Sequence, residues 1–258
     1  MLKPSQKWFA PVFGQSPPLS TPISSMSEPV SRVTKTVAAM HSLSPAVLPS
    51  LLLCDFANLE KEVCLLEEAG VECLHLDVMD GNFVPNLSYG MPIVAALRKV
   101  TNLMLDVHLM ISNPTAYAPQ FVDAGANLIT FHIEALKQPS ALLDQLRSQG
   151  VAAGLAINPS TDMSLVSPFV NECDLVLVMS VEAGFGGQKF NPIALNRLSK
   201  LRITHGADLL LEVDGGVNET TVGQCTANGA DLLVVGSAIF RQADYCQAMN
   251  RLRREMQN

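Results

Sequence analysis

Leu74-His75-Leu76-Asp77-Val78-Met79-Asp80-Gly81-Asn82-Phe83-Val84-Pro85 is an apolar run that ends in turn residues. Read as a strand over Leu74 to Met79, it sends His75, Asp77 and Met79 to one face and Leu74, Leu76 and Val78 to the other, because successive strand side chains alternate. An imidazole and a carboxylate on one face read equally as a buried pair or as part of a site. Asp80-Gly81-Asn82 with Pro85 is turn chemistry. The segment onward to Ser88 is placed to shape the mouth of whatever lies at the strand end.

Two further stretches repeat the theme. Asp106-Val107-His108-Leu109-Met110 carries a second imidazole in an apolar run, and Leu211-Glu212-Val213-Asp214-Gly215-Gly216 carries a second aspartate before a glycine pair. Two histidines and two aspartates at the C-terminal ends of strands suit one borderline divalent ion, such as zinc, iron(II), cobalt or manganese. We therefore read His75, Asp77, His108 and Asp214 as a single metal site.

Outward from these stretches the same unit recurs: an apolar run, polar or glycine residues, then an amphipathic stretch. The runs are Val47–Leu52, Cys73–Met79, Leu103–Leu109, Leu128–Ile133, Ala152–Ile157, Leu175–Met179, Leu209–Val213 and Leu232–Val235. Helices are predicted at Asn58–Ala69, Met91–Val100, Thr115–Ala124, Pro139–Gln149, Asp162–Val170, Ile193–Thr204, Glu219–Ala227 and Asp244–Met256, several stopping at a glycine. Eight strand-helix units over residues 45–258 predict the α/β class and one domain, a (β/α)8 barrel. An open doubly wound sheet is the alternative, since pattern alone does not establish closure.

A barrel gathers its functional residues at the C-terminal ends of the strands. In order, those ends carry Ser50, His75 with Asp77, His108, His132 with Glu134, Asn158, Met179 with Ser180, Asp214, and Gly236 with Ser237. The segment Glu182-Ala183-Gly184-Phe185-Gly186-Gly187-Gln188 follows the sixth run, and its glycines let backbone approach a ligand. With Gly215, Gly216, Gly236 and Ser237 after the last two runs, it reads as a phosphate site. Met79, Met110 and Met179 form a soft apolar wall to the same pocket. His132 reads as a supporting residue, and neither His41 nor His205 is assigned a function.

Composition narrows the function. A net charge of −7 offers no basic face for a nucleic-acid backbone. Charged residues break every apolar run before membrane-spanning length. The six cysteines form no C-x-x-C pair and read as buried thiols of a reducing compartment. Residues 1–44 are rich in Ser, Thr and Pro, show no apolar period, and read as a disordered extension. The expected location is cytoplasmic, with an organelle as the alternative should that acid-poor segment be a transit peptide.

The residues now on the page resemble the ribulose-phosphate 3-epimerase family. The resemblance runs from Ala46 to about Leu252 and rests on Leu-His-Leu-Asp-Val-Met-Asp-Gly-Asn-Phe-Val-Pro-Asn, Asp-Val-His-Leu-Met, Val-Met-Ser-Val-Glu-Ala-Gly-Phe-Gly-Gly-Gln and Glu-Val-Asp-Gly-Gly-Val-Asn. It implies one divalent metal per subunit on His75, Asp77, His108 and Asp214. It implies that Asp77 and Asp214 are the acid/base pair of a reversible conversion of ribulose 5-phosphate to xylulose 5-phosphate through a 2,3-enediolate. Ser50, His108, Phe185 and Asp214 would touch substrate, with the glycines from Gly184 to Gly187 and the later loops on its phosphate. A homo-oligomer is expected.

Two positions depart from the family pattern: Ala183 stands where proline is usual, and Leu53 where a small residue is common. Ala183 is expected to leave the Gly-rich loop more mobile. The alternatives are an epimerase for a six-carbon ketose phosphate, a lyase of related barrels, and a binding protein that lost catalysis. The lyase would need an Asp-x-Lys strand end that this sequence lacks, and the complete quartet argues against loss of catalysis.

Overall fold

A computed structural model describes residues 28–257 of the chain. Eight strands form one parallel sheet: β1 (Ala46–Pro49), β2 (Cys73–Met79), β3 (Met104–Met110), β4 (Leu128–His132), β5 (Ala152–Ile157), β6 (Leu175–Met179), β7 (Leu210–Asp214) and β8 (Leu232–Val235). Each strand from β2 to β8 pairs with its sequence neighbour, and β1 pairs with β8. The remaining seam, between β1 and β2, is closed by a parallel bridge from Ser50 to His75. Closure decides for the barrel over the open sheet.

Helices cover the outside: α1 (Glu28–Leu43) precedes the barrel, and α2 (Leu59–Glu68), α3 (Met91–Val100), α4 (Pro114–Asp123), α5 (Ser140–Ser148), α6 (Ile193–His205), α7 (Val222–Ala227), α8 (Ser237–Phe240) and α9 (Tyr245–Glu255) follow. Leu74, Leu76 and Val78 pack outward into the layer between sheet and helices. This is the face the alternation assigned them. Among the described residues no helix is long and apolar enough to cross a membrane.

Two predicted elements change form. The helix expected over Asp162–Val170 is two short 3-10 segments, Met163–Leu165 and Ser167–Glu172. Pro168 sits near the start of the second, where it has no N–H to give to a preceding turn. The first strand ends at Pro49, because the Ser50 side chain caps a 3-10 turn over Leu51–Leu53 by accepting from Leu52 N.

A larger correction concerns the extension. Residues 28–43, expected to be disordered, form α1. Val33, Val37 and Met40 fall at helical spacing, and Met40 is 1% exposed. These side chains meet Leu48, Cys73, Leu128, Leu175, Leu210 and Leu232, the lowest inward layer of the barrel, and so close its N-terminal end. The disorder and transit-peptide expectations for residues 1–27 lie outside the described residues.

Candidate functional site

Register decides which side chains meet. The pairing of β2 with β3 sets Asp106 beside His75, His108 beside Asp77, and Met110 beside Met79. The β6 and β7 pairing sets Asp214 beside Met179. All eight residues are on the inward face that the period of two selects. The quartet read from sequence is brought together: His75, Asp77, His108 and Asp214 each offer a ligand atom, all within 4.8 Å of one another.

Hydrogen bonds orient these groups. His75 Nδ1 lies 2.6 Å from Asp106 Oδ2 and 3.1 Å from Glu212 Oε1, which leaves Nε2 aimed at Asp77 Oδ1, 3.3 Å away. That Nε2 atom is buried with no hydrogen-bond partner. His108 presents its other nitrogen, with Nδ1 3.2 Å from the same Asp77 oxygen. Ser50 Oγ donates to Asp77 Oδ2 at 2.5 Å. The orphaned Nε2, a second ring nitrogen and two carboxylates converging on one point are a donor set that fits a divalent cation.

The electrostatics of these side chains point the same way. Burial opposes charge on Asp77, but the charge of His75 and the close approach of both imidazoles outweigh it and hold this carboxyl well below the usual range. Burial, then the charge of Asp77, pushes Asp214 up to about 7. Burial works to discharge His75, yet Asp106 and Asp77 pull its pKa well up. Burial and the Asp106 charge likewise raise Glu212. Protons thus fill in for positive charge among crowded acids, and a bound cation would displace them.

The cavity above the quartet, its open mouth included, spans about 590 Å³. Ser50, Asp77 and Asp214 form its floor, and Met79, Met110 and Met179 its apolar wall. Gly184, Phe185, Gly186, Gly187, Gly215, Gly216, Gly236 and Ser237 line the remainder. His75 and His108 are fully buried beneath it. Gly216, at φ +65°, is required for contact between loops, since a Cβ there would collide with the backbone of Phe190 and Gln188.

The mouth is bridged. Asn86 Nδ2 donates to the carbonyl of Gly184 at 2.8 Å, tying the loop after β2 to the Gly-rich loop after β6. Ser88 Oγ donates to Asp77 O at 2.5 Å and accepts from Met79 N at 3.0 Å, so this loop also fixes the end of β2. Asp80 accepts from the backbone of Asn82, Phe83 and Ser112. At the other departure from pattern, the Leu53 side chain faces Gly186 and Gly236, where an added Cβ would meet it at 3.5 and 3.4 Å. Ala183 N donates to Asn158 Oδ1 at 3.0 Å, a restraint that proline cannot make. The hydrogen bond opposes the loop mobility expected from the missing ring.

Sequence reasoning passed over Asp106 and Glu212 as site residues. The signal was present, because each lies two residues before a ligand on the same strand and therefore on the same face, one layer deeper. His132 is in a supporting place: its Nε2 is 2.9 Å from His108 Nε2, and its Nδ1 is 3.1 Å from Glu134 Oε2. Burial dominates at His132 and takes its pKa down to about 4. Burial opposes charge on Glu134, but the hydrogen bond from His132 and its partners win and hold it at about 2.

Comparison with known proteins identifies the family. The family model described as the ribulose-phosphate 3 epimerase family matches residues 46–240. A ribulose-phosphate 3-epimerase of Bacillus subtilis is 44% identical over 211 residues, which are 80% of this chain and 97% of the relative. One of Escherichia coli is 40% identical over 214 residues, 81% of this chain and 95% of the relative. Among solved structures, a 3-hexulose-6-phosphate synthase superposes with a TM-score of 0.63 at 18% identity, covering 81% of this chain and 98% of that one. A thiamine phosphate pyrophosphorylase from Pyrococcus furiosus gives 0.59 at 15% identity, covering 85% and 98%. These two show the barrel alone, whereas the family match and the identity to curated relatives establish that this chain belongs to the ribulose-phosphate 3-epimerase family, isomerases acting on carbohydrates.

Proposed function

We propose that the protein interconverts D-ribulose 5-phosphate and D-xylulose 5-phosphate, with Asp77 and Asp214 as the acid/base pair. The observation that carries this reading is the convergence of His75, Asp77, His108 and Asp214 under a cavity whose far side is glycine backbone. The quartet would hold one divalent ion, zinc, iron(II), cobalt or manganese. When bound, such an ion supplies Lewis-acid stabilisation of the negative charge that develops on the substrate oxygens beside C2 and C3.

Epimerisation removes a proton next to a carbonyl and returns one to the opposite face. Two bases are therefore needed, and carboxylates on β2 and β7 approach the pocket from different parts of the barrel wall. Asp77 takes the C3 proton from one epimer, leaving a 2,3-enediolate, and Asp214 delivers a proton to the other face. The reverse reaction exchanges their roles. Ser50, which donates to Asp77, keeps that carboxylate turned into the cavity.

The backbone of Gly184 to Gly187, with Gly215, Gly216, Gly236 and Ser237, holds the phosphate at a distance. Its binding energy positions C3 between the carboxylates. Met79, Met110 and Met179 keep water away from the intermediate. Exposed Phe56, Leu87 and Phe185 around the mouth support the expected homo-oligomer, which light scattering of the full chain would test.

The function is tested by following both sugars in D2O. Two-base inversion through an enediolate predicts deuterium at C3 of the product, and no inverted product from an Asp214→Asn variant incubated alike. Rapid epimerisation without solvent deuterium would contradict the proposal. Comparable turnover of unphosphorylated ribulose would contradict the phosphate assignment.

A further inference from the structure

His132 and Glu134 lie outside the quartet, yet they form a continuous line into it. Glu134 uses both carboxylate oxygens: Oε1 accepts from Asn158 N at 2.8 Å, and Oε2 lies 3.1 Å from His132 Nδ1. The opposite corner of that ring, Nε2, is 2.9 Å from Nε2 of His108. The two ring centroids are 5.0 Å apart with their planes inclined by only 23°. Rings whose nitrogens approach so much more closely than their centres meet edge to edge, the arrangement of an in-plane N–H···N bond.

The line meets a carboxylate at each end, Glu134 Oε2 at 3.1 Å from His132 Nδ1 and Asp77 Oδ1 at 3.2 Å from His108 Nδ1, and the acid that takes a ring hydrogen sets both tautomers. Asp77 already accepts from Ser50 Oγ and belongs to the quartet proposed to hold the cation, so Glu134 is taken as the acid that decides. An ionised carboxylate only accepts, so His132 Nδ1 carries the hydrogen that Glu134 receives. In the neutral ring, Nε2 is then bare and must accept, which places a hydrogen on His108 Nε2. The remaining nitrogen of neutral His108, Nδ1, is bare, and it is the atom that faces the quartet 3.2 Å from Asp77 Oδ1. A further competing arrangement would have Asn158 Nδ2 donate to His132 Nδ1 across 3.4 Å, which leaves Glu134 Oε2 without that donor. A charged acceptor at 3.1 Å outweighs an amide at the limit of hydrogen-bond length.

We infer that Glu134, acting through His132, is a positioning residue that fixes the tautomer of His108 and so leaves its Nδ1 lone pair free for a divalent cation. The inference rests on the metal reading of the quartet proposed above. His75 is set directly by an acid, with Asp106 against its Nδ1. His108 receives the same instruction through one intervening ring. Phe83, with its ring centroid 4.9 Å from that of His132, and full burial of both imidazoles keep water from supplying alternative partners. Groups behind a ligating imidazole change metal affinity by about 10- to 100-fold when removed.

Glu134→Gln is an informative change. If the new amide keeps its oxygen on Asn158 N, its NH2 faces His132 Nδ1 and reverses the hydrogens on both rings, putting an N–H where His108 should ligate. The experiment has two parts, both on the full chain stripped of metal. Imidazole nitrogen NMR of the unsubstituted protein should show hydrogen on Nδ1 of His132 and on Nε2 of His108. Titration with Co2+, read by its visible absorption, should show affinity about 10- to 100-fold weaker for Glu134→Gln, with circular dichroism and Tm of the metal-free proteins unchanged.

Hydrogen on His108 Nδ1 in the unsubstituted protein would overturn the inference. So would Co2+ affinity of Glu134→Gln within twofold of the unsubstituted value. The expected tautomers without any Co2+ binding would support the hydrogen-bond relay while overturning the metal reading of the quartet.

Discussion

The two ends of the barrel are built from the same eight strands and are opposite in character. At the C-terminal end, inward positions hold His75, Asp77, His108 and Asp214, with further acids and an imidazole packed behind them. At the N-terminal end, inward positions hold Leu48, Cys73, Leu128, Leu175, Leu210 and Leu232 under Val33 and Met40 of α1. One end places like charges close together, at a cost to folding, and the other supplies close-packed apolar contact. Chemistry and stability are thereby separated along the barrel axis, the division expected of this architecture. The helix that covers the base precedes residues 46–240, so the family match does not include it.

That contrast is open to attack at either end. The largest effect is expected at the top. Asp77→Asn or Asp214→Asn should lower epimerase turnover by at least about 100-fold, the low end for loss of a positioned acid or base. Tm should not fall in the Asp214→Asn variant, since a half-buried carboxyl crowded by Asp77 is removed. A large drop in Tm together with retained turnover would erase the distinction between the ends.

At the base, Met40→Ala should reverse the pattern. Removing a side chain that is 1% exposed is expected to cost about 2–5 kcal/mol of unfolding free energy, measured by denaturant titration. Its kcat should stay near that of the unsubstituted protein. A catalytic defect as large as that of the aspartate variants would show that the base communicates with the site.

Thiol labelling sharpens the comparison without substitution. Contrary to the expectation that all six thiols are buried, Cys64 and Cys246 are exposed, because they fall on the outer faces of α2 and α9, while Cys54, Cys73, Cys173 and Cys225 are buried. Burial first of all pushes Cys54, Cys173 and Cys225 up to about 12, so the unreactive thiol form dominates at neutral pH. A disulfide reagent at neutral pH should label two thiols quickly and the others only on unfolding. Rapid reaction of Cys73 would mean that α1 does not seal the base.

The smallest effect is expected in the mouth loop. Burial opposes charge on Asp80, but the backbone N–H groups of Ser112, Asn82 and Phe83 outweigh it and hold this carboxyl below its ordinary value. A depressed folded pKa means that the stabilisation is complete above the unfolded value, about 3.9, and is lost as pH falls through the folded value. Tm measured from pH 6 down to 2 should therefore decline less steeply for Asp80→Asn. Parallel acid limbs would remove the role given to this aspartate.

What the sequence made legible follows from periodicity. Alternation on β2 identified the inward face, and the ends of β2, β3 and β7 identified all four members of the quartet. Four strands, β2, β5, β6 and β8, carry the limits expected of them. Three things were hidden, each for a physical reason. The strand period put Asp106 and Glu212 on the inward face, but their approach to His75 was hidden, since it depends on pairing and closure that no single strand reveals. The α1 helix was obscured because Val33, Val37 and Met40 form a short period next to a Pro-rich segment, and a window spanning both shows none. The hydrogen bond from Ala183 to Asn158 joins loops distant in sequence, so a missing proline looked only like lost restraint.

The central claim is that the quartet at the top of the barrel is a metal-dependent epimerase centre. The most direct measurement is turnover of ribulose 5-phosphate to xylulose 5-phosphate by the full chain stripped of metal, before and after single divalent ions are returned. The account predicts negligible turnover in the stripped protein and recovery with at least one of zinc, iron(II), cobalt or manganese. Full turnover without any metal would contradict it.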